Sequence, residues 1–242
     1  GALDFAGGAV VHVNAGIAGL VCCLVLKPRH GFGRDNMAPS NLAYTAIGTG
    51  LLLVGWLGFN AGSAGAADGL AATAAFNTIL AAATAALAWL TVEWIDNRRA
   101  TLLGLLSGIV AGLVAITPAA GFVDPKGAFF IGLIGGPACY AGAVWLKRAL
   151  KYDDSLDAWG IHGVGGIVGA LLTGVFATVA VNPLSEGATI LKQAVGLMGV
   201  IAWSAIGTFI VLMICRFTTG LRVTKEQEVE GLDYTLHGET VH

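Results

Sequence analysis

Charge is what this sequence has least of. Only 12% of its 242 residues are Asp, Glu, Lys or Arg, about half the share of a soluble domain. The net charge is −2, so no basic field offers itself to nucleic acid. Cysteine is scarce as well: Cys22, Cys23, Cys139 and Cys215 stand in apolar runs, with no CxxC pair or other ligand spacing. That pattern argues against zinc and against a disulfide framework, and reads the four as small core residues. No signal-peptide pattern is present. The GFGRDN turn is a lone glycine-rich stretch and a poor phosphate motif. No nucleophile or cofactor-binding loop stands out, so an enzyme is the weakest reading.

What the chain does have is apolar length. Hydrophobic residues make up 56% and glycine 36 positions, and the mean hydropathy is +0.77. Glycine is a poor residue for soluble helices but suits membrane helices whose backbones approach closely. The composition predicts an all-α polytopic membrane protein embedded in a lipid bilayer. A spanning helix needs about 20 apolar residues. Seven stretches qualify: 5–26, 41–61, 69–95, 101–121, 127–147, 159–181 and 190–215. Residues 1–216 are therefore the expected membrane domain and 217–242 an acidic, solvated C-terminal tail.

Basic residues orient the stack. Eleven of the 13 Lys and Arg residues fall after spans one, three, five and seven; only Lys126 and Lys192 lie on the other side. The positive-inside rule then places the C-terminus in the cytoplasm.

Ionisable groups inside such spans cost about 2.5–3.5 kcal/mol each on insertion scales, so those present call for a reason. Asp4 and His12 lie in DFAGGAVVHVNAGIAG, and Asp154 and His162 in DSLDAWGIHGVGGIVG. The two stretches match at Asp4/Asp154, His12/His162, Gly16/Gly166, Ile17/Ile167 and Gly19/Gly169, always 150 residues apart. They belong to spans one and six, which cross in opposite directions. This is the pattern of an inverted repeat with a substrate path between its halves. Two imidazoles would then approach one pathway from opposite faces. The alternatives are hydrogen-bonded packing residues or a metal pair, for which no third ligand stands nearby in sequence. The repeat arithmetic further predicts four helices upstream of span one, closing an earlier repeat.

At these residues the chain resembles the ammonium transporter family (the Amt/Mep/Rh superfamily), in its bacterial and archaeal Amt branch. DFAGGAVVHVNAG resembles the family signature, GWLGFNAGSAG the outer-vestibule helix end, GIHGVGGIVG the second histidine segment and GLRVTKEQEVEGLDYTLHGE the tail. The resemblance runs the whole length. It implies a helical bundle with inverted five-helix repeats, a homotrimer with one pore per subunit, and family helices five to eleven for this chain. It implies no cofactor and no metal. It makes His12 and His162 the twin pore histidines, Asp4 the carboxylate near the recruitment site and Ser63 a hydrogen-bond partner of the arriving cation. Phe59 becomes a gate ring, with Trp56 and Thr117 lining the path. The companion gate Phe and vestibule Trp would lie in the upstream helices. It also implies a bacterial inner (plasma) membrane, and a PII-type signalling protein docking at the cytoplasmic face.

The implied activity is transport of ammonium or ammonia. Potassium matches ammonium in charge and size, so selectivity must come from directed hydrogen bonds, cation–π attraction of about 0.5–2 kcal/mol, and a dry bore. Ammonium sheds a proton and passes as ammonia; potassium has no such route. Two other functions stay open: an ammonium sensor, and an Rh-type neutral gas channel. Bland readings of single residues also stay open. Asp4 and Asp154 suit helix caps, Ser63 a polar helix end, and Trp56 and Phe59 an interfacial aromatic belt.

Overall fold

The computed structural model describes residues 1–240. Among the described residues six helices are long and apolar enough to cross a membrane: α1 (Gly8–Leu26), α2 (Leu42–Gly62), α3 (Gly69–Asn97), α5 (Pro125–Leu150), α6 (Ala158–Phe176) and α7 (Ile190–Thr218). Between α3 and α5 lies a shorter apolar helix, α4 (Leu102–Ile116). A short amphiphilic helix, α8 (Lys225–Glu230), belongs to the tail.

Polar side chains set the helix starts. Asn41, Asp68, Thr101, Asp124 and Thr189 each accept a backbone N–H of the first turn of α2, α3, α4, α5 and α7.

Two helices stop short of their expected spans. Residues 101–121 contain only the 15 helical residues of α4, because Pro118 has no N–H to continue the ladder. The carbonyls freed there are used: Phe5 N donates to Pro118 O at 3.0 Å and Ala6 N to Thr117 O at 3.3 Å. Likewise α6 ends at Phe176 rather than at 181. Ala177 turns to extended backbone and bridges to Val123, where Thr178 N donates to Phe122 O at 2.9 Å. The α4 and α6 ends thus meet in one non-helical stretch, buried on the α4 side from 117 to 123 and half-buried at Ala177 and Thr178.

Packing follows the small residues. On α4, Gly108 and Gly112 lie against α3, so close that a Cβ at Gly112 would stand 2.3 Å from Ala81 O. Gly132 and Gly136 of α5 meet the same helix at Ala81 and Ala85. The tight α3–α4–α5 core holds Trp89, Leu113, Val114, Cys139 and Tyr140. A second cluster joins α1, α6 and α7 through Val13, Ile17, Ala170 and Leu197. Only Cys139 among the cysteines is fully buried; Cys22, Cys23 and Cys215 are half-buried, which corrects the reading of all four as core. The outer faces are apolar, with Leu191, Met198, Trp203 and Phe217 of α7 more than 70% exposed. Such a surface fits hydrocarbon and no aqueous solvent.

The tail does not float free. Arg222 donates to the carbonyls of Leu26 and Pro28 at 2.8 and 2.9 Å, and pairs with Glu228 at 3.0 Å. Glu228 in turn accepts His30 N. The last two tail residues, 241 and 242, lie outside the described residues.

Candidate functional site

Helices α1 and α6 begin alike. Each opens with a wide π-helical turn, Gly8–Val13 and Ala158–Gly163, before continuing as α-helix. Each is entered through a left-handed residue, Gly7 (φ 97°) and Asp157 (φ 53°), again 150 apart. A carboxylate caps each start. Asp4 accepts Ala9 N at 3.1 Å and Val10 N at 3.2 Å, and Asp154 accepts Ala158 N at 3.0 Å and Trp159 N at 2.8 Å. The capping expectation for both therefore has its geometry. Burial pushes the Asp4 carboxyl upward, against the pull of the Val10, Ala9, Gly8 and Gly7 amides. Asp157, the left-handed residue that leads into α6, is likewise raised by burial and opposed by its ion pair with Lys147. Left-handed backbone is costly for a residue with a side chain, and the Lys147 pair holds Asp157 there.

The fifth residue of each helix is a histidine. π-Turns recur at functional sites, and here they bring the two rings together. His162 Nδ1 stands 3.3 Å from His12 Nδ1, with ring centroids 5.3 Å apart. Around His12, Trp56 of α2 stacks at 5.1 Å and Phe59 approaches edge-on at 5.9 Å. His12 and Trp56 are buried, while Phe59 is partly exposed.

The neighbours of Thr117 point to one assignment of the hydrogens. Its hydroxyl has a single proton, donated to Leu113 O at 2.7 Å. Its oxygen therefore accepts from both other neighbours, the Trp56 indole N–H at 3.0 Å and His12 Nε2 at 3.2 Å. His12 is then the Nε2–H tautomer, and its Nδ1 accepts the Nδ1–H of His162. His162 Nε2 is left as a bare acceptor. His162 lines a cavity of about 610 Å³ that includes Ser107, Ser155 and Asp157, while His12 lines another of about 490 Å³ with Trp56 and Phe59. The imidazole pair bridges the two.

His12, His162, Trp56, Phe59 and Thr117 converge. Ser63 and Asp4 do not join them. Ser63 is exposed at the end of α2 and donates to Phe59 O at 2.8 Å; Asp4 stays engaged with its helix start. No group of three metal-ligating side chains exists among the described residues.

This arrangement can be placed against known proteins. The sequence profile of the Ammonium Transporter Family matches residues 1–242. The chain belongs to the ammonium transporter family. It is 47% identical to an ammonium transporter of Bacillus subtilis over 100% of this chain and 61% of the relative. It is 49% identical to one of Aquifex aeolicus, over 100% and 57%. Among solved structures it is similar to Saccharomyces cerevisiae Mep2, with a TM-score of 0.85, 38% identity, and 93% of this chain on 54% of that one. A structure titled Sensor Amt Protein gives 0.88 and 31%, over 98% and 60%. The chain thus spans about three-fifths of the length of the curated relatives it matches. The fold is that of an all-helical ammonium-transporter-like bundle of apolar spans, in a family of membrane transporters rather than enzymes.

Two features of the site have no local signature in the sequence: the π-turns and the hydrogen-bond arrangement at Thr117.

Proposed function

We propose that this chain contributes the twin-histidine path of an ammonium transporter, passing neutral ammonia between an outer and an inner cavity. The observation that carries the reading is the 3.3 Å Nδ1–Nδ1 contact, made by repeat-related residues of two antiparallel helices. Ammonium arrives on the Phe59 side, where an aromatic face attracts a cation and the exposed Ser63 oxygen retains lone pairs for an N–H. Asp4 adds negative potential near that end. Beyond Phe59 the lining turns apolar, and a dehydrated cation becomes expensive. One N–H bond breaks, the electron pair stays on nitrogen, and ammonia continues alone.

The released proton follows the imidazoles. In the resting tautomers the free lone pair is His162 Nε2. Those tautomers are the ones an inward transfer leaves behind, so before the next one His12 must carry its hydrogen on Nδ1 and His162 on Nε2; a proton then enters at His12 Nε2, the His12 Nδ1–H passes to His162 Nδ1, and His162 gives up its Nε2–H on the inner side. Thr117 has to turn its hydroxyl from Leu113 O to reset the first histidine. Potassium carries no proton and gains nothing from this relay.

The surrounding assembly belongs to the same proposal: a homotrimer, an inner (plasma) membrane, a cytoplasmic C-terminus and a PII-type signalling protein on the cytoplasmic face. Basic residues gathered at one end support the orientation. A sensing role is the second reading, favoured by the likeness to a structure titled as a sensor and by a tail bonded to the loop after α1. Reconstitution of the full chain tests the first reading. Ammonium pulses should drive current that falls at least about tenfold in His162→Ala, and His162→Glu should raise potassium leak. Unchanged rate and selectivity in both would remove the histidines from the path.

A further inference from the structure

A Cβ added at Gly16 of α1 would stand 2.2 Å from Gly163 N, 2.3 Å from Gly163 Cα and 3.2 Å from Ala158 O, all on α6. A Cβ added at Gly166 of α6 would stand 2.8 Å from Gly8 O, 2.8 Å from Val13 Cγ2 and 3.1 Å from Val13 N, all on α1. The pairs are reciprocal. Gly16 and Gly166 are repeat mates, as are Val13 and Gly163, and Gly8 and Ala158. Each glycine therefore presses on the counterparts of the residues that press on the other. As the α1 residue number rises from 8 to 16, its α6 partner falls from 166 to 158, so the helices cross antiparallel at this point.

The residues immediately before the contacted Val13 and Gly163 are His12 and His162. The closest backbone approach between the helices is thus one residue from the imidazoles, on the same π-turns. Those rings meet at 3.3 Å, near the upper limit of a useful hydrogen bond. Separation of the backbones by about 1 Å, the least that an ordinary Cβ contact at Gly16 requires, would break it. Other glycines of α6 do not share this role. Gly169 meets Ala115 O of α4 at 2.1 Å, a contact that seats α6 without touching α1.

We propose that Gly16 and Gly166 are positioning residues for the proton relay: their missing side chains set the distance between the His12 and His162 rings, and through it the selectivity of the path. The proposal rests on the twin-histidine reading above. Its two members differ in severity. At Gly16 all three obstacles are backbone atoms, with no easy relief. At Gly166 one obstacle is the Val13 methyl, which a smaller residue would withdraw.

The test is a set of variants in the full chain, reconstituted in proteoliposomes, with ammonium and potassium fluxes measured together across pH. Gly16→Ala is expected to lower the ammonium-to-potassium flux ratio at least about tenfold and to flatten its pH dependence. Gly166→Ala should do so less, and Gly166→Ala/Val13→Ala should recover much of the loss. Gly169→Ala should reduce folded yield while leaving the ratio of the surviving protein unchanged. Gly199→Ala, which meets nothing within 4 Å, should change neither. A structure of Gly166→Ala should show the Nδ1 atoms parted beyond 3.5 Å, a readout independent of transport. If Gly16→Ala does not fold, the Gly166 pair and its rescue decide. Glycine variants that fold with parental ratio, pH profile and ring distance overturn the proposal. A parent chain that conducts no ammonium, with the rings still parted in Gly166→Ala, would instead overturn the functional reading and leave the positioning role standing.

Discussion

Thr117 has one hydroxyl and three partners, and that shortage of hydrogen gives the site its direction. Because its proton goes to Leu113 O, it accepts from Trp56 and from His12, and the tautomers of both histidines follow. Thr117→Val removes the acceptor but keeps the shape, so it is expected to shift the pH profile of ammonium current and lower its maximum about tenfold or more. Thr117→Ser should restore the parental profile. Equal behaviour of Val and Ser would show that the hydroxyl plays no part. The sequence carried the identities of His12 and His162, since paired histidines at matched offsets are rare in an apolar chain. It did not carry the tautomers, which depend on a donor count around an atom reached from α2, α4 and α1 together. Ser63 shows the opposite limit: its residue type suits a cation, yet it stands exposed at the end of α2, apart from the converging histidines.

Helix ends were the part of the fold that sequence described least well. Apolar composition marks where a span lies but is blind to hydrogen bonds, so it ran α4 through Pro118 and α6 past Phe176. Both errors come from the same knot of non-helical backbone, whose polar groups are satisfied by tertiary partners rather than by a helix. Caps, in contrast, are local, and Asp4 and Asp154 each accept two backbone N–H groups at the helix start that follows them. Removing the second, Asp154→Ala, should cost about 1 kcal/mol of stability, with a corresponding fall in Tm. Beside it, Asp153 is buried and held by Arg29 through two side-chain bonds and one backbone bond. Burial alone would raise this carboxyl, but the Arg29 bonds outweigh it and hold it below its ordinary 3.8. A depressed acid stabilises the fold above the unfolded pKa and loses that contribution as pH falls through the folded one. Thermal stability of the parent should therefore decline as pH drops below about 4. Arg29→Ala should be destabilised at neutral pH and lose less on acidification. A parallel decline in both proteins would contradict this account of the pair.

At the scale of the whole molecule, the inverted repeat links sequence to architecture. Its offset of 150 reappears in the left-handed entries, the π-turns, the capping carboxylates and the glycine crossing, none of which is individually specific. Together they describe two helices related by a pseudo-two-fold axis in the membrane plane, with the imidazoles at the crossing. The all-helical class and the membrane setting were legible from composition alone, because so little charge leaves no other solvent. The proposed sidedness is supported by the basic loops and has a direct check. In a chain whose cysteines have been replaced, Glu239→Cys should react with an impermeant maleimide only from the cytoplasmic side, and Lys126→Cys only from outside. The reverse pattern would invert the direction of the path.

The central claim is that the paired rings are the route itself. Its most direct measurement is the simultaneous flux of ammonium and potassium through the reconstituted full chain, parent against His12→Ala/His162→Ala. The account predicts selective ammonium flux in the parent and loss of that selectivity in the double variant, with the protein still folded. A folded double variant that moves ammonium as fast and as selectively as the parent would contradict it.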